Sequence, residues 1–173
     1  MKKFIYPAIF AAAIGLLAFT FAGTNWKVHG DAVVQFTSGR INGSFTGLKA
    51  EIIFDKEHPE AAKISASVEA PSIATGFFLK TSHAKDALGV DKYPTIRFVS
   101  TSVSKNGAAF LAKGNLTMKG VTRPATIRFT FEDKGNQGVF KGNFKVIPKE
   151  FGIDHNGTPD QVMVSLTVPV SKS

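Results

Sequence analysis

The four histidines of this sequence are candidates for metal binding or acid–base chemistry, and they lie far apart. His29, His58, His83 and His155 form no pair four residues apart and no His-x-His on a strand. A zinc site needs two or three such side chains to converge with carboxylates. The sequence therefore predicts no metal site.

Nucleophilic catalysis has equally little support in the sequence. Asp154-His155 resembles a fragment of a charge relay, but no serine stands in a Gly-x-Ser-x-Gly setting and the chain has no cysteine. Asn156-Gly157 follows at once and is typical of a turn. We expect a protein that is not an enzyme and that needs no cofactor.

A third group of polar residues is cationic and follows three large apolar residues, Phe77-Phe78-Leu79. Lys80, His83 and Lys85 lie within six positions of one another. Cations near the start of a helix suit an anionic group, such as the head of a long lipid at the mouth of an apolar tube. The alternative is a plain surface helix that caps one end of the domain.

The elements that must position these residues are mainly strands with a period of two. Phe129 and Phe131 share one strand face, whereas Arg128 and Glu132 take the other. The same alternation runs through residues 64–70, 95–99, 140–146 and 162–170. This pattern predicts half-buried antiparallel strands, about eight in number, and closure into a barrel removes the exposed sheet edges.

One segment, TSHAKDAL at residues 81–88, lacks this alternation and contains good helix formers. Thr81 or Ser82 is placed to cap a helix and Gly89 to end it. We therefore predict an all-β domain with a short helical insert near residues 81–88.

Phenylalanine is unusually frequent after residue 22, with 12 residues against six leucines. Barrels of this size are either filled by side chains or hold one small ligand. Alternation predicts an inward set of nine rings: Phe36, Phe45, Phe54, Phe98, Phe110, Phe129, Phe131, Phe140 and Phe144. A filled aromatic core and an apolar ligand cavity are both compatible with these residues.

The first 22 residues form a separate unit. Met1-Lys2-Lys3 is a basic start, residues 4–21 are almost wholly apolar, and Thr20-Phe21-Ala22 fits signal-peptidase cleavage after Ala22. The alternative is an uncleaved membrane anchor, because the run approaches the roughly 20 residues that span a bilayer. We expect a signal peptide at residues 1–22, one domain at 23–173, and a periplasmic or secreted location.

The net charge of +8 falls to +6 when the two lysines of this leader are removed. The basic residues are scattered singly along strands, so we expect no nucleic-acid partner. The absence of cysteine means that packing alone must hold the domain.

Several motifs, taken in order along the chain, resemble the YceI-like family of exported bacterial proteins. The hairpin GNLTMKGVTRP at residues 114–124 matches that family's "G-x-L-T-x-K-G-V-T-x-P". The other matches are Gly43-Ser44-Phe45-Thr46-Gly47-Leu48, Thr75-Gly76, His83-Ala84-Lys85, DKYPTIRFVST at residues 91–101, and Glu150-Phe151-Gly152-Ile153. They extend from about Trp26 to Val170. Two departures, Ile147-Pro148 and Ala87-Leu88, bear on the ligand more than on the fold.

The resemblance implies a lipocalin-like barrel with a long apolar cavity for a polyisoprenoid or another long-chain lipid amphiphile. The nine inward rings, together with Phe77, Phe78, Lys80, His83 and Lys85, are then the candidate ligand-binding residues. Transient membrane contact and a homodimer are compatible with this interpretation. In the hairpin, Gly120 permits the turn, Pro124 limits pairing, and Lys119 and Arg123 are either solvated or functional.

Two function classes follow. The first is a non-catalytic lipid-binding protein of the cell envelope. The second is a structural or stress-response interaction module whose barrel is filled by its own phenylalanines. An envelope enzyme or redox accessory acting on quinone is a weaker third hypothesis.

Overall fold

A computed structural model describes residues 23–39 and 41–173. The expected signal segment lies outside the described residues. The strands are β1 (Thr24–Val28), β2 (Val33–Thr37), β3 (Asn42–Phe45), β4 (Lys49–Phe54), β5 (Lys63–Glu69), β6 (Thr95–Asn106), β7 (Ala109–Met118), β8 (Val121–Lys134), β9 (Gln137–Val146) and β10 (Val162–Lys172). One α-helix, α1, spans Phe78–Leu88, and three short 3-10 helices cover Pro59–Ala61, Ala70–Ser72 and Pro148–Phe151.

The strands form one antiparallel sheet that closes on itself. The closed ring runs β1-β4-β5-β6-β7-β8-β9-β10, and β10 pairs back to β1. β2 pairs with β10 beyond β1, and β3 pairs with β2. β1 and β2 lie one after the other along β10 and together occupy one position of the ring. β4 and β3 pair with β1 and β2 and together occupy the next position, so ten strands form an eight-membered barrel. The predicted barrel of about eight strands is confirmed.

The two-residue pattern places one face of each strand in the interior. On β8, Phe129 is buried while Arg128 and Thr130 are exposed. On β9, Phe140 is buried while Lys141 is exposed. The alternation read from the sequence therefore assigned the faces of these strands correctly.

Helix α1 begins three residues before the predicted start. Its N-cap is Phe77, with no side-chain cap, and it ends at Gly89, which has φ +62°. The hydroxyl of Thr81 does not cap α1; it accepts a hydrogen bond from the Thr75 backbone N–H at 3.1 Å. The predicted cap was therefore wrong, whereas the glycine stop was right.

The hairpin between β7 and β8 turns on two residues with positive φ, Lys119 at 51° and Gly120 at 74°. Two such residues in succession are typical of the tight turn that matches strand twist. A Cβ on Gly120 would also approach the Tyr93 ring to 2.7 Å. Pro124 does not interrupt this hairpin, since it lies opposite Asn115 in continuous register. The β8–β9 pairing, however, begins only at Arg128.

Candidate functional site

The barrel encloses a cavity of about 460 Å³ with an almost wholly apolar lining. Six phenylalanines line it: Phe36, Phe45, Phe98, Phe129, Phe140 and Phe144. Aliphatic side chains from the strands complete the wall, and Gly142 lies between two of the rings on β9. The volume is within the range of small-molecule sites, about 300–1,000 Å³.

One end of the barrel is closed by packed rings, which we call the ring cluster: Trp26, Phe54, Phe110, Phe129, Phe131 and Phe140. Phe54 is at its centre and is only 1% exposed. Its ring centroid lies 5.0 Å from that of Phe110, 5.5 Å from Phe129 and 5.4 Å from Phe140. These separations are typical of favourable aromatic contacts. The phenylalanines thus fill one end of the barrel and leave the rest hollow.

The ring cluster is fixed by a backbone contact as well as by packing. The indole Nε1 of Trp26 donates a hydrogen bond of 3.0 Å to the carbonyl oxygen of Phe54. Lys172 lies over the Trp26 ring, with its Nζ 5.5 Å from the centroid, on the solvent side. The only polar group of a large buried ring is therefore satisfied, and the end is sealed.

The opposite end of the barrel is covered by α1 and by the loop that precedes β10. Ala84, Ala87 and Leu88 of α1 line the cavity, and so do Lys80 and His83. Ala87 and Leu88 are one of the two departures from the family motifs, and a small residue at 87 leaves space beside the cavity.

The polar lining is concentrated at this mouth. His155, Asn156 and Thr158 contribute from the loop, and Lys80 and His83 contribute from α1; the other polar side chains of the lining are Ser38, just after β2, and Ser67 on β5. Deeper in the barrel the wall is hydrocarbon, and no polar or charged residue is buried within the part of the chain described. An amphiphile would find mainly apolar contacts along its chain and most of the hydrogen-bonding groups at its head.

A 3-10 segment at Pro148–Phe151 forms one side of the mouth, and the β7–β8 hairpin holds it in place. Lys119 Nζ donates a 2.9 Å hydrogen bond to the carbonyl oxygen of Gly152, and Arg123 Nε donates one of 3.1 Å to that of Glu150. Lys119 and Arg123 are therefore not merely solvated, because both side chains donate hydrogen bonds to backbone carbonyl oxygens. The Arg123 contact lies on the part of β8 that precedes Arg128 and is not paired with β9.

The predicted ligand-binding residues divide into three groups. Those that line the cavity are Phe36, Phe45, Phe98, Phe129, Phe140, Phe144, Lys80 and His83. Phe54, Phe110 and Phe131 are inward but lie in the ring cluster and do not line the cavity. Phe77 and Phe78 are on the surface, 62% and 83% exposed, and Lys85 is not part of the lining. Contact with a ligand stays a prediction for all of them.

Sequence reasoning missed the aliphatic wall and the loop before β10. Ala112, Leu116 and Met118 on β7 line the cavity, and their alternation with Lys113 and Thr117 was a usable signal. His155 had only the signal of a turn, so nothing in the sequence indicated that it lies at the mouth.

The described residues hold no group of three or more metal-ligating side chains. One carboxyl group has a clearly altered pKa: the Lys141 ammonium, 2.6 Å from Glu132, hydrogen-bonds to that carboxylate and lowers its pKa. This pair is on the outer wall of the barrel, away from the cavity. In the described part of the chain no helix is long and apolar enough to cross a membrane.

A closed antiparallel barrel with a one-ended apolar cavity is the structure of a lipocalin-like binding protein. The family model of the YceI-like domain matches residues 20–173, and the chain belongs to that family. The resemblance seen in the motifs is thereby confirmed.

Curated relatives and solved structures agree with this assignment. The chain is 29% identical to a UPF0312 protein of Yersinia enterocolitica over 91% of this chain and 92% of that one. The crystal structure of BcnA from Burkholderia cenocepacia has a TM-score of 0.75 at 20% identity, covering 80% of this chain and 95% of that chain. A polyisoprenoid binding domain from Saccharophagus degradans has a TM-score of 0.62 at 9% identity, covering 87% and 99%. At these identities the structures show the fold alone.

Proposed function

We propose that this protein binds a long-chain lipid, with a polyisoprenoid as the leading candidate, inside the barrel cavity and without catalysing a reaction. The observation that carries the proposal is the distribution of polarity along the cavity: hydrocarbon in the depth and polar side chains at the mouth. An isoprenoid chain with a polar head has the same distribution. The printed description of the Saccharophagus degradans domain as polyisoprenoid-binding supports the same ligand class.

The place of action in this proposal is the cell envelope. Cleavage after Ala22 would release residues 23–173, which contain every strand of the closed barrel. The basis is the order of basic start, apolar run and small residues in the leader. N-terminal sequencing of protein from the periplasmic and membrane fractions tests it, since a chain that begins at Met1 in the membrane fraction indicates an anchor.

The alternative of a barrel filled by its own phenylalanines fits only one end of the molecule. The ring cluster fills that end, whereas a cavity of about 460 Å³ remains beyond it. The structural module would therefore have to leave this cavity empty or wet, although its wall offers water almost no partners.

The deciding experiment is organic extraction of the purified protein followed by mass spectrometry. We expect a chain-bearing lipid at near-stoichiometric amount in the extract. A matched variant with a blocked cavity, Ile127→Trp, should carry less, because Ile127 is half-buried on the cavity wall and outside the ring cluster. Extracts without lipid from the wild-type chain, and no uptake of added isoprenoid, would leave the structural module as the better account.

A further inference from the structure

The start of α1 carries an exposed apolar patch, Phe77-Phe78-Leu79, which we call the FFL patch. Its three side chains are 62%, 83% and 59% exposed. The other exposed large apolar side chains among the described residues are single, less exposed and separate in sequence: Val33, Val99 and Met163. Three consecutive large apolar residues in water are a feature that usually marks a contact surface.

The geometry of the helix explains why these residues project outward. Successive residues on a helix point in different directions, and α1 directs Ala84, Ala87 and Leu88 toward the cavity. The side chains of Phe77, Phe78 and Leu79 are exposed and do not belong to the hydrophobic core of the described residues. Because Lys80 follows the FFL patch directly and lines the cavity, the patch lies beside the mouth.

We propose that the FFL patch inserts into the interface of an anionic lipid bilayer and places the cavity mouth against the membrane. The area favours this partner over a second protein. Three such side chains expose at most about 600 Å², whereas a stable protein interface buries about 800 Å² on each partner. Shallow insertion of a few aromatic and aliphatic side chains needs no larger area.

Charge supports the same partner. Residues 23–173 carry a net charge of +6, obtained from +8 by removing Lys2 and Lys3. On α1 itself, Lys80 and Lys85 outnumber the single acid, Asp86. An anionic surface attracts such a protein over about a Debye length, and the apolar side chains then hold it there. Where the cavity binds lipid, as proposed above, docking would let a chain pass between bilayer and barrel without crossing water.

The test uses residues 23–173, which contain the whole closed barrel and exclude the apolar leader. Phe78→Trp places a fluorophore in the FFL patch, while the only native tryptophan, Trp26, is buried at the sealed end. Vesicles of phosphatidylglycerol and phosphatidylcholine should shift the fluorescence emission of the Phe78→Trp variant to shorter wavelength. Vesicles of pure phosphatidylcholine should give a smaller emission shift, and added salt should reduce the shift caused by the anionic vesicles.

The second arm is flotation with the same vesicles. The double variant Phe77→Ser/Phe78→Ser should bind at least about tenfold more weakly, because it lacks the two aromatic side chains that bilayer binding would bury. Serine at position 77 is a favoured N-cap, so α1 should remain intact. Val33→Ser/Val99→Ser, on the outer wall, is the matched control and should bind as the wild type does.

Unchanged flotation of the double variant, or no shift of the Phe78→Trp emission, overturns the proposal. A wild-type dimer that the double variant disperses also overturns it, because the partner is then a second copy. Extraction keeps the two proposals separate. Lipid in the extract without vesicle binding removes docking alone, and vesicle binding without lipid in the extract removes the cavity function alone.

Discussion

Phe129 on β8 and Phe140 on β9 are diagonal neighbours with ring centroids 5.8 Å apart, and both line the cavity while also belonging to the ring cluster. Behind them Phe54 packs against both rings, at 5.5 Å and 5.4 Å. These two side chains are therefore the floor of the cavity. A bound chain that enters at the mouth must end at their faces.

Removing part of this floor should lengthen the chain that the protein accepts. Phe140→Ala opens space toward Phe54, so the lipids extracted with this variant should shift to longer chains. Phe36→Ala, near the mouth, is the control and should leave the upper length limit unchanged. Mass spectrometry of the extracts, or competition among fatty chains of graded length, measures the shift. Equal length distributions for the two variants would contradict a floor at Phe140.

Stability and binding should separate along the barrel axis. Phe54 is 1% exposed and packs against four rings, so Phe54→Ala should cost roughly 3–5 kcal/mol of unfolding free energy. Phe144→Trp, on the cavity wall outside the ring cluster, should lose little stability but should reduce lipid uptake. Urea unfolding and extraction on both variants check this. A Phe144→Trp chain that is as destabilised as Phe54→Ala would mean that no usable space exists beside Phe144.

A substitution at Phe129 would not separate stability from lipid uptake in this way. Its ring packs on Phe54, Phe110 and Phe140, at 5.5, 5.4 and 5.8 Å. Enlarging it would disturb the ring cluster as well as the cavity. An effect on binding there could not be separated from an effect on folding.

The sequence specified which face of each strand is buried but not how far along the barrel a buried residue lies. Phe129 and Phe131 have the same parity, yet only Phe129 reaches the cavity. Height along the barrel depends on the register between strands, such as Phe131 opposite Phe140, and that register is not visible in one strand alone. This is why the candidate residues included members of the ring cluster.

Contacts between distant segments were also beyond the sequence. Lys119 reaches a carbonyl 33 positions away and Arg123 one 27 positions away. The exposure of the residues at the start of α1 was also not visible in the sequence. Phenylalanine is a residue type that is often buried, yet Phe77 and Phe78 are largely exposed in the folded chain.

The Glu132–Lys141 pair should give a small, pH-dependent contribution to stability. The hydrogen bond and charge of Lys141 lower the pKa of Glu132 in the folded state. The folded pKa is below the unfolded one, so the contribution is present above the ordinary range of glutamate and disappears as pH falls through the lowered value. Urea midpoints of wild type and Lys141→Gln should differ slightly at neutral pH and converge in acid. Both side chains are about half exposed, so added salt should also reduce the difference.

Arg123 should control the order of one side of the cavity mouth. Its Nε bond to the Glu150 carbonyl oxygen holds the segment that contains Pro148 and Ile153, both of which line the cavity. Arg123→Ala should therefore speed hydrogen exchange of the Gly152 and Ile153 amides, which donate to Lys149 and Pro148 carbonyl oxygens in the 3-10 turn. Loss of one such contact is expected to cost about 1 kcal/mol locally.

Faster opening at this side should also shorten the residence of a bound lipid, since part of the mouth would be mobile more often. The matched control is Arg128→Ala on the same strand, whose guanidinium contacts Asn106 near the sealed end. Arg128→Ala should leave both the exchange at Gly152 and the release of lipid unchanged. Equal effects of the two variants would mean that loss of an exposed arginine on β8, and not the contact with Glu150, explains the change. Only an effect confined to Arg123→Ala would assign control of the mouth to the β7–β8 hairpin.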